Sequence, residues 1–498
     1  MSTYVSQRTT WMARAGRRPF DPLRLAPVVV LLVAGGLFAL QLGHSSLFID
    51  EVYSWRASRG SLSDLADALR YSEVTPPLYY LILHQWMQVT GGDSEALLRL
   101  PSVLAGVALV AAVLWLGRLV AGRTAGLVAA SLAAVSPLVL LYSQQARAYV
   151  WVMLAVTVAV AAAIQATRDR SRLWLVAAMI AAVCALLLHY TALLVLVPAA
   201  LWLVLRSEFE LRWRLAFLAV LAGTLAAIAP LALTQMGQGH HDATESYASL
   251  TTLNALRIAG TPFDGRATGG LMLWRELGAV VVIDALALLA LGERFRGLRA
   301  RVLIVTCALV PLAVVCLVSA LGQPIALTRY TAVGAPFILV AVGMVAAHAV
   351  RPVSVALLAT ALSVSAAGLF AALQRSGQNP DTRSAVAAVA ADWRAGDVVA
   401  GVGLLGFDGA LSYYGEKLLP PGAREVPAFR SLDAAVEAPR ALDAAEAGGR
   451  LWLIADPPVG RLRLRDSLGR LDYAATAVQV YGGNAPVQLI RAEGRTGQ

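Results

Sequence analysis

Two carboxylates stand side by side at positions 50 and 51, in the run LFIDEVYSWRASRG. Asp50 and Glu51 follow the first long apolar stretch directly and lie between Phe48 and Tyr53. The edge of a membrane is a partly desolvated place, where a carboxylate can take a proton from a substrate hydroxyl. The plainer reading is that acidic residues merely mark a polar loop. A second polar group is His240, His241, Asp242 and Glu245. Adjacent histidines in a polar loop are usually just exposed, and a metal site needs three or four converging ligands. No metal site and no cofactor is therefore assigned, a divalent cation being the one ion left open. Asp284 lies inside an apolar run, where a carboxylate costs about 2.5–3.5 kcal/mol. It is expected to face a bundle interior as a structural contact. Cys184, Cys307 and Cys316 all lie in apolar runs, so no disulfide framework is implied.

The elements that must position these residues are membrane helices. Of the 498 residues, 58% are hydrophobic and only 14% are charged, against about 25% charged in soluble domains. Apolar runs of about 20 residues match a hydrocarbon core about 30 Å thick. They lie near 23–43, 99–121, 124–142, 149–167, 172–188, 190–206, 213–235, 269–292, 301–321, 328–349 and 352–373. The first is too long for the apolar core of a signal peptide and reads as an uncleaved anchor. The net charge is +10, nearly all arginine, with Lys417 the only lysine. These arginines cluster in short loops, as topology determinants do, so nucleic acid is not an expected partner. The stretch 76–89 is too short to span and carries His84, Gln85 and Gln88. If it lies on the surface, four arginine-rich loops fall on the cytoplasmic side. These hold Arg118 and Arg123; Arg168, Arg170 and Arg172; Arg206, Arg212 and Arg214; and Arg294, Arg296, Arg299 and Arg301. The N-terminal segment, with Arg8, Arg14, Arg17, Arg18 and Arg24, falls there too. The expectation is eleven spans, with a cytoplasmic segment 1–22, a membrane domain 23–375 and an outer domain 376–498. The first outer loop is 44–98, and a second lies near 236–268.

Inside the first outer loop, 61–70 is amphipathic, with Leu62, Leu65 and Leu69 on one face. Ser61 suits its N-cap, with Asp64 in the first turn. The run TPPLYYLILHQW then reads as an interfacial helix opened by prolines. The loop is expected to form a membrane-lying cradle. In the tail, 398–402, 451–455, 477–481 and 486–491 read as strands, and 381–394 and 459–468 as helices. That mixture implies a small α/β domain. No internal repeat is visible, which counts against a transporter built from repeated halves.

The order of features is an acidic pair, an amphipathic helix, Pro-Pro-Leu-Tyr-Tyr, LLRLPSVLAG and SPLVLLYSQQARAY. That order and spacing, more than any one motif, resembles the lipid-linked-sugar glycosyltransferases of the GT-C fold. The branch is the one with protein O-mannosyltransferases and the bacterial aminoarabinose transferase. The resemblance covers residues 24–205 well and the remaining membrane region loosely. It implies an all-α polytopic membrane bundle of GT-C type, with about eleven spanning helices and interfacial helices in the first outer loop. The small C-terminal α/β domain is matched only in position and class.

The resemblance implies that Asp50 is the general base toward an acceptor hydroxyl that attacks the anomeric carbon of a polyprenyl-phosphate sugar. Glu51 is its supporting neighbour. Phosphate is already a good leaving group, so the other demand is positive charge at the membrane surface. Arg147 in SQQARAY and Arg329 in LTRYTAVGAP, with Tyr330, match phosphate-binding places. A guanidinium fork suits phosphate, although Arg147 also fits a snorkelling interfacial arginine. Tyr53, Tyr79, Tyr149, His189 and Tyr190 are the implied substrate contacts, an interfacial His-Tyr belt being the alternative for the last two. The chain departs from the family's pattern at Thr75, where His is common, and at Gln145, where Glu is common. The second departure suggests that no second acid in the matched motifs stands in for Asp50.

The implied function is an inverting hexosyl- or pentosyltransferase of a multi-pass bacterial plasma membrane protein. Its partners would be a polyprenyl-phosphate sugar, membrane lipid, and a glycan, lipid or protein acceptor on the outer face. The arginine-for-lysine bias and high alanine suggest a GC-rich bacterium. Mannose, arabinose, galacturonate and glucose all travel on such carriers in related enzymes. A flippase of lipid-linked sugars and a catalytically silent scaffold are the alternatives. The flippase would need polar groups along a path through the bilayer, whereas ionisable residues here concentrate at one face.

Overall fold

The computed structural model describes residues 25–71, 73–205, 208–236, 251–264, 272–292, 300–323, 325–374, 379–403, 410–425, 449–456, 473–481 and 487–494, with 294 and 466–468. The chain opens with α1 (Ala26–Ala39), then α2 (Ile49–Arg59), α3 (Leu62–Tyr71) and α4 (Leu78–Thr90). The bundle continues through α5 (Glu95–Ala134), α6 (Pro137–Ser143), α7 (Tyr149–Asp169), α8 (Arg172–Leu188) and α9 (Leu193–Val204). Next come α10 (Leu211–Met236), α11 (Thr252–Asp264), α12 (Met272–Leu291) and α13 (Arg301–Ala320). The short α14 (Thr328–Thr331), α15 (Ala335–His348) and α16 (Arg351–Gln374) complete it.

Helices occupy all eleven expected stretches. Among the described residues, six are long and apolar enough to cross a membrane: Glu95–Ala134, Tyr149–Asp169, Leu211–Gln235, Arg301–Ala320, Thr328–His348 and Arg351–Leu373. Three shorter apolar helices are Ala26–Ala39, Arg172–Leu188 and Tyr190–Val204. The expected spans 99–121 and 124–142 are two helices, both within α5, where the chain turns back at Ala121 and at Gly122, whose φ is +86°, and brings Gly117 against Gly126. The second of those stretches is itself interrupted. Ser136 leaves the helix, accepts a bond from the Val139 N–H, and restarts the chain as α6 with Pro137 in the first turn. The restarted helix is buried throughout, from Pro137 to Ser143. A Cβ on Gly106 of α5 would come within 2.1 Å of the Ser143 hydroxyl, so only glycine permits this approach. Likewise Gly343 of α15 meets the Ala125 carbonyl of α5, 2.5 Å from where a Cβ would be.

Helix α4 has 13 residues and ends at Gly91 in the left-handed conformation. At 1.5 Å per residue it is about 20 Å long, too short to cross. It packs on α2 and α8, and it is not among the helices long and apolar enough to cross a membrane. Ser61 and Asp64 cap α3 reciprocally, each backbone N–H bonding the other's side chain at 2.8 and 3.2 Å. Leu65 and Leu69 of α3 are buried, whereas Leu62 at its start is exposed.

The tail folds as expected into mixed helix and strand. It contains α17 (Thr382–Ala391), β1 (Val398–Gly403), α18 (Ala410–Leu418), β2 (Arg424–Glu425), β3 (Leu451–Asp456), β4 (Tyr473–Tyr481) and β5 (Val487–Gly494). The sheet order is β2-β1-β3-β5-β4, parallel across β2-β1-β3 and antiparallel beyond. Most of the expected helix 459–468 lies outside the described residues. The tail docks on the first loop. The Leu47 N–H donates to the Tyr414 hydroxyl at 2.8 Å, and Trp55 stacks edge-on with Tyr413 at 4.9 Å. Arg383 donates to the Gly43 carbonyl at 3.1 Å and pairs with Glu95 at 3.2 Å.

Candidate active site

Asp50 and Glu51 lie in the first turn of α2, where carboxylates suit the helix N-terminus. One residue apart on a helix, they point about 100° from each other. Their surroundings differ completely.

Glu51 is buried. Oε1 accepts from Arg99 Nε at 2.8 Å and from the Ala146 N–H at 2.9 Å. Oε2 accepts from Arg99 Nη2 at 2.8 Å and from the Phe48 N–H at 2.9 Å, with Asn379 Nδ2 at 3.4 Å. Arg99, from the LLRLPSV run of α5, spends its remaining donors on the carbonyls of Leu42, Ser45 and Ser46, each at 2.9 Å. All five guanidinium N–H groups are thereby used. One buried ion pair ties α1's exit, α2, α5, the 144–148 loop and the C-terminal domain together. The carboxylate expected beside the base is thus committed to holding the frame. Arg99 did not stand out in the sequence, because an arginine after an acidic loop resembles any topology marker.

Asp50 is open by comparison, with 24% of its side chain exposed. Its Oδ2 faces Arg329 Nη1 at 3.6 Å, longer than a tight pair. Arg147 is brought in from the other side, where Nη1 donates to the Asp50 carbonyl at 3.1 Å and to Ser54 Oγ at 3.2 Å. The anchor for this approach is the Ala146–Glu51 bond one residue earlier. Arg329 lies over the Tyr330 ring, 5.3 Å from its centroid, and its buried Nε has no partner among the described residues. Asp50, Arg147 and Arg329 therefore converge from α2, the α6–α7 loop and α14.

A further carboxylate completes the cluster. Glu73, between α3 and α4, is buried. Its Oε2 accepts the Tyr80 hydroxyl and faces Arg147 Nη1 at 3.6 Å. Its Oε1 has no partner among the described residues. The Thr75 hydroxyl lies 2.5 Å from the Tyr80 oxygen, so it joins the same chain of polar groups. Burial pushes the Glu73 carboxyl above its ordinary range, Arg147 and the Tyr80 bond pull it back, and the Asp50 charge pushes it up again. The expectation that no second acid stands in for Asp50 concerned the matched motifs alone, and Glu73 lies outside them. The sequence signal was weak, because Glu73 precedes the two prolines by three residues and resembles a turn residue.

The expected aromatic contacts separate. Tyr149 packs against Tyr142 at 4.9 Å and His189 at 5.7 Å, near both arginines. His189 Nδ1 accepts from the Thr191 N–H at 3.2 Å, so the ring proton sits on Nε2. Burial, then Arg147 and Arg329, push His189 down to about 3, so it stays neutral. Tyr190 donates to Gln235 at 2.8 Å, and Gln235 donates to the Leu69 and Thr75 carbonyls at 2.9 and 3.3 Å. Tyr190 thus braces the segment that carries Glu73. Tyr53 is half-buried on α2. Tyr79 is wholly buried behind the site. Asp284 does not face the bundle interior as expected. It is exposed, on the wall of a cavity of about 640 Å³ between α12 and α16, with Val281, Leu288, Val353 and Leu357. That cavity is remote in the chain from the carboxylate cluster and shares none of its residues. His240, His241, Asp242 and Glu245 lie outside the described residues. Among the described residues no three His, Cys, Asp or Glu side chains gather to hold a metal ion.

Residues 74–233 match the family of dolichyl-phosphate-mannose-protein mannosyltransferases. No curated protein matches the chain in sequence. Among solved structures, ArnT from Cupriavidus metallidurans bound to undecaprenyl phosphate is similar with a TM-score of 0.52 at 14% identity, over 93% of this chain and 97% of that one. The apo state of the same protein gives 0.54 at 13% identity, with the same coverage. The oligosaccharyltransferase of Archaeoglobus fulgidus, in complex with Zn and sulfate, gives 0.50 at 13% identity, over 93% of this chain and 72% of that one. At such identities the likeness shows the fold, and that fold is GT-C.

Proposed function

We propose that the chain is a membrane glycosyltransferase like the mannosyltransferase family that its residues 74–233 match, and that it moves a sugar from a polyprenyl-phosphate donor to a cell-envelope glycan, lipid or protein, with inversion. The observation that carries this reading is the pairing of the open Asp50 carboxylate with Arg329 at 3.6 Å, with Arg147 against the same helix turn. In this scheme the donor phosphate lies against Arg329 and Arg147, beside Tyr330. Attraction to the phosphate draws Arg329 off Asp50 and leaves the carboxylate able to act as a base. The acceptor hydroxyl gives its proton to Asp50 as its oxygen bonds the anomeric carbon. The carbon–oxygen bond to phosphate breaks, and its electron pair leaves with the polyprenyl phosphate. A single displacement inverts the anomeric centre. Tyr53, Tyr149 and His189 line the approach, neutral His189 adding a donor without charge. Glu51 and Tyr190 position; they do not react.

The site faces outward at a bacterial plasma membrane, residues 1–22 are cytoplasmic, and 376–498 form an outer domain covering the first loop. The test is complementation. Cells lacking the gene receive wild-type protein or Asp50→Asn, and envelope glycans and lipids are compared by mass spectrometry. The wild type restores a sugar-bearing species and Asp50→Asn, at equal membrane abundance, does not. Full restoration by Asp50→Asn sinks the base assignment.

A further inference from the structure

Glu73 has no part in the scheme above, yet it is buried against one of the two arginines that scheme requires. Its Oε1 is unpartnered among the described residues, and its ion pair with Arg147 is loose at 3.6 Å. A buried polar atom without a partner needs an explanation. The charges of the cluster supply one. Asp50 and Glu73 balance Arg147 and Arg329. A phosphodiester entering the cluster adds one negative charge, and a dry site does not hold it uncompensated.

We propose that Glu73 is the exchangeable counter-ion of Arg147: before the donor binds it neutralises the guanidinium, and when the donor phosphate takes its place Glu73 takes up a proton. This deepens the reading of Arg147 and Arg329 as phosphate ligands and rests on it. The groups facing Glu73 are Arg147 from the α6–α7 loop, Tyr80 from α4 and Asp50 from α2. Of the acids, Glu73 is the one placed to accept the proton. Glu51 is held on both oxygens by Arg99. Asp50 is partly exposed and faces Arg329. His189 is held neutral by burial and both arginines. Glu73 is buried, already biased toward its neutral form, and its free Oε1 can carry the proton. Gln235, bonded to the Thr75 carbonyl and to Tyr190, holds the 73–75 segment while Arg147 changes partner.

The consequence is a donor site whose affinity weakens as pH rises. The probe is the methyl phosphodiester of undecaprenol, which has no ionisation of its own near neutrality, with full-length protein in nanodiscs. Calorimetry in buffers of different ionisation heat counts protons taken up on binding. For the wild type, up to one proton per lipid is expected within pH 5–9, with affinity falling by up to about tenfold per pH unit in that window. Glu73→Gln mimics the neutral acid. It is expected to bind without proton uptake, with flat pH dependence, and about tenfold more tightly than wild type at the alkaline end. Zero uptake by the wild type at every pH overturns the proposal. So does a Glu73→Gln protein that keeps the wild-type slope. If Glu73→Gln does not fold, the wild-type proton count decides alone. Arg329→Ala separates the two levels. Loss of binding in that variant alongside zero proton uptake rejects Glu73 and leaves the phosphate site standing. Wild-type protein that never binds the diester, or binding untouched by Arg329→Ala and Arg147→Ala, rejects the phosphate site and this inference with it.

Discussion

Asp50 and Glu51 are adjacent on α2 and belong to two ion clusters built on opposite principles. Around Glu51 every acceptor is bonded at 2.8–2.9 Å and every Arg99 donor is used. Around Asp50 the ion pairs are 3.6 Å long, and Arg329 Nε and Glu73 Oε1 have no partners among the described residues. Both contain buried arginines and carboxylates, so charge alone does not separate them. Saturation does. A saturated cluster has nothing left to offer a ligand and much to lose if broken. An unsaturated one stores desolvated polar groups that a ligand can complete. The first cluster aims the second: Glu51 bonds the Ala146 N–H, and Arg147 is the next residue.

The largest effect that tests this contrast falls on Asp50. Asp50→Asn is expected to reduce transfer about 10²- to 10⁴-fold, the range for losing a general base, with the unfolding midpoint unchanged. A thermal shift as large as the activity loss would merge the two clusters. Arg99→Met should act the other way. Stranding buried Glu51 costs about 3–5 kcal/mol, so the protein should unfold at lower temperature or fail to accumulate. A stable, inactive Arg99→Met protein would move Arg99 into the reacting set. Next is pH. Since burial raises the Glu73 carboxyl, the folded state binds its proton more tightly than the unfolded chain. Stability from that group is full below the ordinary carboxylate range and is lost as pH rises through the folded value. Thermal unfolding of Glu73→Gln should therefore show a smaller decline with rising pH than the wild type. An equal decline would assign the dependence to other groups. The smallest effect is at the rim. Arg59 and Glu416 pair at 2.8 Å but are nearly half exposed, so Arg59→Ala should cost about 0.2–1 kcal/mol and leave transfer intact.

The helices were legible because apolar runs long enough to cross a bilayer are a local property of the chain. The same holds for the capped α3, for the strands of the tail, and for the stretch 76–89, too short an apolar run to span. Asp50, Arg147 and Arg329 could be singled out because each occurs in a run with a recognisable order. Glu73 and Arg99 could not. Their meaning depends on which distant residue each one meets, and Arg99 and Glu51 are 48 positions apart. Asp284 shows the same limit, since helical periodicity places it on a face without saying what covers that face. Nor does adjacency in sequence separate Asp50 from Glu51. The 100° turn between neighbours on a helix sends one carboxylate into a closed knot of donors and the other into an open site, and only the packed bundle determines which is which.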